Sequence, residues 1–571
     1  MSESENKQIK YKNLLIIMVS AVTPILFLLF VYLFSGMTFE QNDDLFISRI
    51  LSGTITGIPD FHAVQIGFWI SAPISFLYRI SGVFPWWGLF LIVCFVLSRF
   101  CINYNFTNED IKRLVFVPVL DLFLSLSYIY FAGKTQYTSV SILLAVAGYA
   151  CIVLGKEKKR DLILFFILEF LAFGLRQKGM LLVQPFGILM FISGCIVNKK
   201  KFKSQTVKIL ICFLLIGLTG IFGKLASGEL SGEWKDYYSF NKMREEFYDY
   251  SGCPDYEEVR DILEKYGVSE VEWDAFKDYD LSVFPIDSGL NNELYEYAKE
   301  KNRPDSFSNI LKNIYLNSIR RKDAWPILIL FGVSVLTVLL LSEYKGFIIL
   351  AGFWILHFSI WFYMCLRGRI IDRVSLPFLM AECLFLLYFI FGCISDKESI
   401  EKLSSKKKKF GIASASAFLI LFIAVSIFVG TGHIKRLKED VFAQKILWES
   451  MRQIEDYCDA HPEKKYFVDI SSVSSVHGET FTKEKNRNHN YMYSGGWFSA
   501  TPSFKKRKDE YLNGCDSFCY IVFDFGEGWN RMEQGSAEYY KYATGSSGTK
   551  TDEISVSSGG TFLVYEFDKT N

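Results

Sequence analysis

Net charge is almost absent from this chain of 571 residues: 62 Lys and Arg stand against 61 Asp and Glu, leaving +1. That balance gives no electrostatic footprint for nucleic acid, so no nucleic-acid partner is expected. Charge of either sign is also sparse, at 22% of residues. No Walker or Rossmann glycine pattern occurs, which removes the usual cradles for a dissolved nucleotide. There is no fixed-period repeat and no low-complexity tract. The strict polar–apolar alternation of a membrane β-barrel is missing too. The twelve cysteines argue for little. Eight lie in or at the ends of apolar runs, as small apolar fillers. Cys253, Cys458, Cys515 and Cys519 lie outside those runs, an even number that permits disulfides without requiring them. The C-x-x-x-C spacing of Cys515 and Cys519, with no Cys/His pair nearby, is a poor zinc set. No cofactor is called for, and a divalent metal stays open.

What the chain has in abundance is apolar sequence. About eleven runs approach 20 residues, roughly the length that crosses a 30 Å hydrocarbon core. They lie near 14–36, 84–104, 113–131, 135–154, 161–174, 180–197, 207–225, 325–341, 346–365, 372–393 and 410–430. The first is preceded by Lys7, Lys10 and Lys12 and lacks a small-x-small cleavage pattern before Gly36, so it reads as a retained anchor rather than a signal peptide. The expected architecture is an all-α polytopic membrane protein of about eleven spans. It divides into an N-terminal membrane module (1–225), a helical extracytoplasmic insertion (226–324), a second membrane module (325–431) and a small α/β extracytoplasmic domain (432–571). That last segment opens with a charged helix near 436–459. It continues through β-branched and aromatic runs, KKYFVDIS, CYIVFDFGEG and GTFLVYEF. The insertion is acidic, with 22 Asp and Glu against 13 Lys and Arg.

Residues 64–82 are long enough to span but contain Pro73 and Arg79. The distribution of Lys and Arg decides their place. If they do not span, the short inside connections carry 20 Lys and Arg and the short outside ones carry 8. If they do, every later loop swaps sides and Lys406–Lys409 falls outside. Residues 64–82 are therefore expected to form a helix in the outer interface, with Arg79 at the headgroups. The chain is expected in the plasma membrane, N-terminus cytoplasmic and C-terminus outside.

Within the spans, Asp121, Glu169, His357 and Glu382 are scattered and read as polar groups satisfied between helices. The outer ends differ. Glu40, Asp43 and Asp44 follow the first span, and the same loop (37–83) holds Asp60 and His62. Lys134 and Gln136 lie between spans three and four. Arg176 and Lys178 fill the turn between spans five and six, and Arg367, Arg369, Asp372 and Arg373 follow span nine. Outer turns that spend their few residues on cations oppose the charge bias of the rest of the chain, so these cations are expected to meet anions. A lipid-linked sugar phosphate suits such a face. Arg and Lys would bind the phosphate and stabilise the charge that grows on it. A carboxylate would deprotonate the acceptor hydroxyl. Asp43 and Asp44 are the candidate bases, Asp44 also being the expected N-cap of a helix starting near Leu45. Asp60, His62, Arg176, Lys178, Arg367, Arg369 and Arg373 are the candidate binding residues.

With these residues in place, about 1–395 resembles the GT-C superfamily of polytopic membrane glycosyltransferases. The resemblance lies in Asn42-Asp43-Asp44 after the first span, the interfacial 64–82 segment, Lys178-Gly179 at an outer turn, and Arg369 or Arg373 ahead of Pro377. It implies a polyprenyl-phosphate-linked sugar as donor, an envelope glycan or polymer as acceptor, and the lipid bilayer as surroundings. A Lys-Pro-Pro-like start to the interfacial helix is missing, with Asp60-Phe-His62 in its place. The tryptophan-aspartate-aspartate signature of oligosaccharyltransferases is missing as well, which argues against asparagine glycosylation. Asn42–Gly57 and Asn241–Asp249 (NKMREEFYD) also look like segments of clostridial-type membrane proteins. Three other readings stay open: a polymerase or ligase using polyprenyl-diphosphate-linked glycan, a transporter or flippase, and a non-catalytic envelope scaffold.

Overall fold

The computed structural model describes residues 3–107, 113–155, 158–197, 202–301, 306–341, 344–368, 370–394, 404–484, 489–526 and 531–568. Arg369 lies outside them. The chain is mostly helical. Among the described residues, eight helices are long and apolar enough to cross a membrane, and two shorter apolar helices, Phe116–Ser127 and Tyr137–Val153, lie among them. The first helices are α1 (Glu3–Ser35), α2 (Asn42–Ser52), α3 (Phe68–Ile80), α4 (Trp86–Thr107), α5 (Phe116–Ser127) and α6 (Ile129–Gly133). They are followed by α7 (Tyr137–Val153), α8 (Lys159–Val197) and α9 (Phe202–Ala226). The run at 113–131 is thus broken into α5 and α6, and the interfacial helix is shorter than 64–82.

The helix α8 doubles back on itself. Arg176 has extended backbone angles (φ −160°, ψ 102°) inside an otherwise helical run. Glu169 and Gln184 are hydrogen-bonded at 3.0 Å, although fifteen residues of straight helix would separate them by about 22 Å. Both halves pack on α7, where Tyr149 meets Phe165 on one half and Gln184 on the other. The Ser141 hydroxyl reaches the carbonyls of Ala172 and Arg176, groups released where the first half ends.

The insertion contributes α10 (Gly232–Glu246), α11 (Tyr256–Lys265), α12 (Glu270–Lys277), α13 (Ser288–Lys301) and α14 (Phe307–Ile314). Its own core gathers Tyr237, Phe240, Phe247, Trp273, Phe276 and Phe284. The chain then returns through α15 (Trp325–Leu341), α16 (Gly346–Leu366), α17 (Asp372–Ile394) and α18 (Ser405–Ala460). Helices α7 and α17 are buried on every side, whereas α1, α9, α16 and α18 expose Ile25, Leu214, Phe222, Ile355 and Ile420. A ring of exposed apolar faces around buried helices is the pattern of a bundle solvated by lipid. The polar residues inside are partnered: Asp121 with Arg99 and Asn103, and His357 with Glu382 at 2.7 Å.

The charged helix expected at 436–459 is no separate element. It is the continuation of the last apolar helix, and α18 runs 56 residues without interruption. Its far end carries a five-stranded sheet built from β3 (Tyr466–Asp469), β4 (Tyr491–Ser494), β5 (Ser517–Phe523), β6 (Thr549–Ser555) and β7 (Thr561–Asp568), in the order β4-β3-β5-β7-β6. Strands β3, β4 and β5 are parallel, and β7 and β6 close the edge antiparallel. A short helix, Ile470–Val473, follows β3, α19 (Pro502–Leu512) packs beside the sheet, and α20 (Gly535–Thr544) leads to β6.

The polar ends named above all meet at one end of the bundle. The short strands β1 (Thr38–Phe39) and β2 (Lys134–Thr135) pair in parallel, and Thr38 also bridges to Glu479. Arg321 and Arg436 both hold Asp372, at 2.8 and 2.6 Å. Arg49 of α2 is fully buried between Glu455 of α18 (2.7 Å), Tyr493 of β4 (2.7 Å) and Glu484 (3.5 Å), which fastens the first loop to the sheet domain.

Candidate functional site

Helix α2 starts at Asn42, one turn earlier than expected, with Gln41 as the residue before it. Asp43 and Asp44 both fall in its first turn, and the helical step of about 100° sends them to different places. Asp44 is not a cap. It turns inward, fully buried, and accepts the Trp87 indole N–H at 3.1 Å. Burial pushes its carboxyl well above the usual carboxylate range, with Asp43 next to it adding to the effect. Asp43 faces a cavity of about 220 Å³. Arg373 reaches across this cavity to Gln41 and lies 3.8 Å from Asp43 and 4.0 Å from Glu40. Glu40 is held above its usual range by burial, which outweighs the pull of Arg373 and Lys134.

Arg176 lines the same cavity, because the reversal of α8 leaves it at the turn between the two halves. Burial works against its charge, while Tyr137, Glu245, Asp43 and Asp249 around it keep it protonated. The structure thus gathers Asp43, Arg176 and Arg373 at one cavity. None of the other described candidates lines it. Lys178 is exposed and pairs with Glu245 at 3.6 Å. Arg367 stacks on Tyr250 at 4.1 Å. Asp60 and His62 bind each other at 2.6 Å, His62 also reaches the Ser227 carbonyl, and its ring stacks on Trp234 at 3.8 Å. Asp60 is brought below its usual range, His62 and Ser503 outweighing burial. This pair joins the first loop to the insertion and lines neither of the cavities described here.

The rest of the cavity wall was not picked out from the sequence. Arg244, Glu245 and Asp249 come from α10 and the turn after it, Tyr279 from the loop after α12, and Ser474, Gly496, Trp497 and Phe498 from the sheet domain. In the sequence the stretch Asn241–Asp249 stands out only as a similar segment. Arg244 is buried and donates to Asn241 and to the Tyr279 hydroxyl, each at 3.0 Å. Among the described residues no group of three His, Cys, Asp or Glu is placed to hold a metal ion. None of the twelve cysteines is joined in a disulfide, Cys253, Cys458, Cys515 and Cys519 included.

A second, larger cavity of about 650 Å³ adjoins the first. Gln65, Arg176 and Glu245 line both. Its lining combines apolar Trp69, Phe173, Ile221 and the glycines of α9 with the cations Lys178, Lys224 and Lys242. A Cβ at Gly220 or Gly223 would come within 2.9 Å of the Phe173 or Trp69 ring, so glycine keeps these rings close to α9. The result is an amphipathic groove that meets a small polar cavity at Arg176. Comparison of the chain with family models, curated proteins and solved structures returns no match.

Proposed function

We propose that the chain is a plasma-membrane glycosyltransferase of GT-C type that moves a sugar from a polyprenyl-phosphate donor to an envelope glycan or polymer at the outer face. The reading rests on one observation, the junction of groove and cavity at Gln65, Arg176 and Glu245. In it the prenyl chain lies along Trp69, Phe173 and the glycines of α9, where apolar surface is offered beside the bilayer. The phosphate sits by Arg176, with Arg373 facing it across the cavity. Asp43 takes the proton of the acceptor hydroxyl as that oxygen attacks the anomeric carbon. The bond from that carbon to the phosphate oxygen breaks, and polyprenyl phosphate leaves with the electron pair, its charge stabilised by the guanidinium groups.

The cations are matched by carboxylates in the free protein: Lys178 by Glu245, and Arg373 by Glu40 and Asp43. Donor phosphate then exchanges one anion for another, which keeps the ground state from being held too tightly. Asp44, buried beneath Asp43 against Trp87, serves structure in this scheme. The topology belongs to the same proposal: eleven crossings, counting both halves of α8, with the insertion and the sheet domain outside. Transfer of radiolabelled sugar from polyprenyl-phosphate donors by the purified protein is the test. Asp43→Asn should lower transfer by about 10²–10⁴-fold while donor binding persists, and Asp44→Asn should cost less. Parental transfer by both variants rules out the α2 carboxylates as the base.

A further inference from the structure

The sheet domain and the insertion meet where an open parallel sheet would ordinarily bind a ligand, beyond the C-terminal ends of its strands. Here the crevice is filled from within the chain. Asp469 ends β3 and Ser494 ends β4. Arg531 binds Asp469 at 3.0 Å and clasps Asp278 of the insertion at 2.7 and 2.6 Å. Ser494 donates to Asp280 at 2.6 Å, and the Gly496 N–H bonds the Tyr279 carbonyl at 2.9 Å. Gly495 and Gly496 have φ of +98° and +86°, and a Cβ at Gly495 would stand 2.7 Å from the Tyr279 carbonyl oxygen. The approach is that close. Gripped on both sides, Tyr279 is the one non-glycine residue of the described chain with positive φ, at 71°. That region is strained for a tyrosine and is kept only where the surroundings over-determine it, and such strain gathers at functional sites.

The grip sets Tyr279 in the wall of the small cavity, which Trp497 of the sheet domain also lines. The Tyr279 hydroxyl faces Arg244. Trp497 is 96% buried, its backbone carbonyl is held by the Tyr237 hydroxyl, and its indole N–H has no acceptor. A buried donor without a partner destabilises the free protein, and a bound hydroxyl would supply the missing acceptor. Phe46 and Tyr137 add aromatic surface to the same small space.

We infer that this cavity is a monosaccharide subsite, in which Tyr279 and Trp497 hold one sugar ring, the transferred sugar of the donor, with its phosphate at Arg176. The inference rests on the glycosyltransferase reading and deepens it. Aromatic faces suit the C–H faces of a pyranose, and an indole N–H, a phenol and a guanidinium suit its hydroxyls. The cavity, at about 220 Å³, lies below the usual range of about 300–1,000 Å³ for drug-sized ligands. It therefore selects one ring over an oligosaccharide. Tyr279 and Trp497 are specificity residues in this assignment, acting on the sugar rather than on the proton or the phosphate.

The test measures binding of farnesyl phosphate and of its glucosyl, mannosyl, N-acetylglucosaminyl and arabinosyl phosphodiesters to the full-length protein in detergent. At least one sugar should bind more tightly than bare farnesyl phosphate. Trp497→Phe keeps the aromatic face and removes the N–H. It should erase about three- to tenfold of that gain, the weight of one hydrogen bond, and leave bare farnesyl phosphate binding unchanged. Tyr279→Phe, which keeps the ring, should do the same for the hydroxyl. Arg176→Ala should weaken every ligand alike. Binding of bare farnesyl phosphate with no gain from any sugar, or a gain that both variants keep in full, overturns the subsite and leaves the phosphate site standing. Failure of every ligand to bind overturns the glycosyltransferase reading, and the subsite falls with it.

Discussion

Replacing Arg49 with methionine removes the fully buried cation that lies between two buried carboxylates. The guanidinium is 1% exposed. It sits 2.7 Å from Glu455 and 3.5 Å from Glu484, and donates to the Tyr493 hydroxyl at 2.7 Å. Burial alone would push the Glu455 carboxyl up, but Arg49 and Arg452 bring it below its usual range. Burial keeps Glu484 above its range despite Arg49. Methionine fills much of the volume, so the loss is mainly electrostatic. Leaving a buried charge without its partner costs about 3–5 kcal/mol. Thermal unfolding of the detergent-solubilised protein, followed by intrinsic fluorescence at neutral pH, should show Arg49→Met well below the parent. A pH series separates this cause from a packing defect. Without Arg49, the folded-state pKa of Glu484, already raised by burial, rises further, so the folded protein binds protons more strongly than the unfolded chain. The variant should then regain stability as the pH falls from 7 toward 5. Glu455→Gln in the Arg49→Met background should recover part of the loss, since it removes one of the stranded charges. A variant as stable as the parent at neutral pH, or one whose deficit does not shrink on acidification, refutes the argument.

Removing either guanidinium of the small cavity, by Arg176→Ala or Arg373→Ala, should slow sugar transfer by about 10²–10³-fold, as expected when a donor to developing phosphate charge is lost; single-turnover rates at saturating donor measure it. His477 is lowered to about 4, chiefly by burial and then by Lys134 and Arg373. It is neutral when folded and charged when unfolded between those pKa values, so stability should fall by up to about 3 kcal/mol as pH drops from about 6.5 to 4. His477→Gln should flatten the melting curve over that window. Cysteine introduced by Lys408→Cys, with exposed native thiols blocked, should resist an impermeant maleimide added to intact cells; labelling from outside would reverse the assigned orientation.

The membrane helices were legible because twenty apolar residues in a row have few other uses in a chain of this charge content. The fold of α8 was legible through Arg176 and Lys178, polar residues that split one long apolar stretch into two halves. Local rules fared worse at the ends of elements. Asp44 was assigned to a cap because Leu45 begins the apolar run, yet α2 takes in Asn42 and Asp43 and sends Asp44 to Trp87. The charged stretch after Val429 reads as a new helix by composition, but no proline stops the backbone and α18 continues. Arg244, Tyr279 and Trp497 carry no local pattern at all. They come together only because Asp278 and Asp280 dock on the sheet domain through Arg531 and Ser494, contacts spanning more than 200 residues.

The continuity of α18 makes the sheet domain a lever arm. From Thr431 to Ala460 thirty helical residues rise about 45 Å, with the apolar half of the same helix seated among α5 and α15. A tilt of about 5° in the membrane would swing the far end by about 4 Å, more than the reach of the contacts that Trp497 and Ser474 offer the cavity. Bilayer thickness and curvature are therefore inputs to the shape of that small space, and a measurement in detergent micelles samples only one setting of the arm.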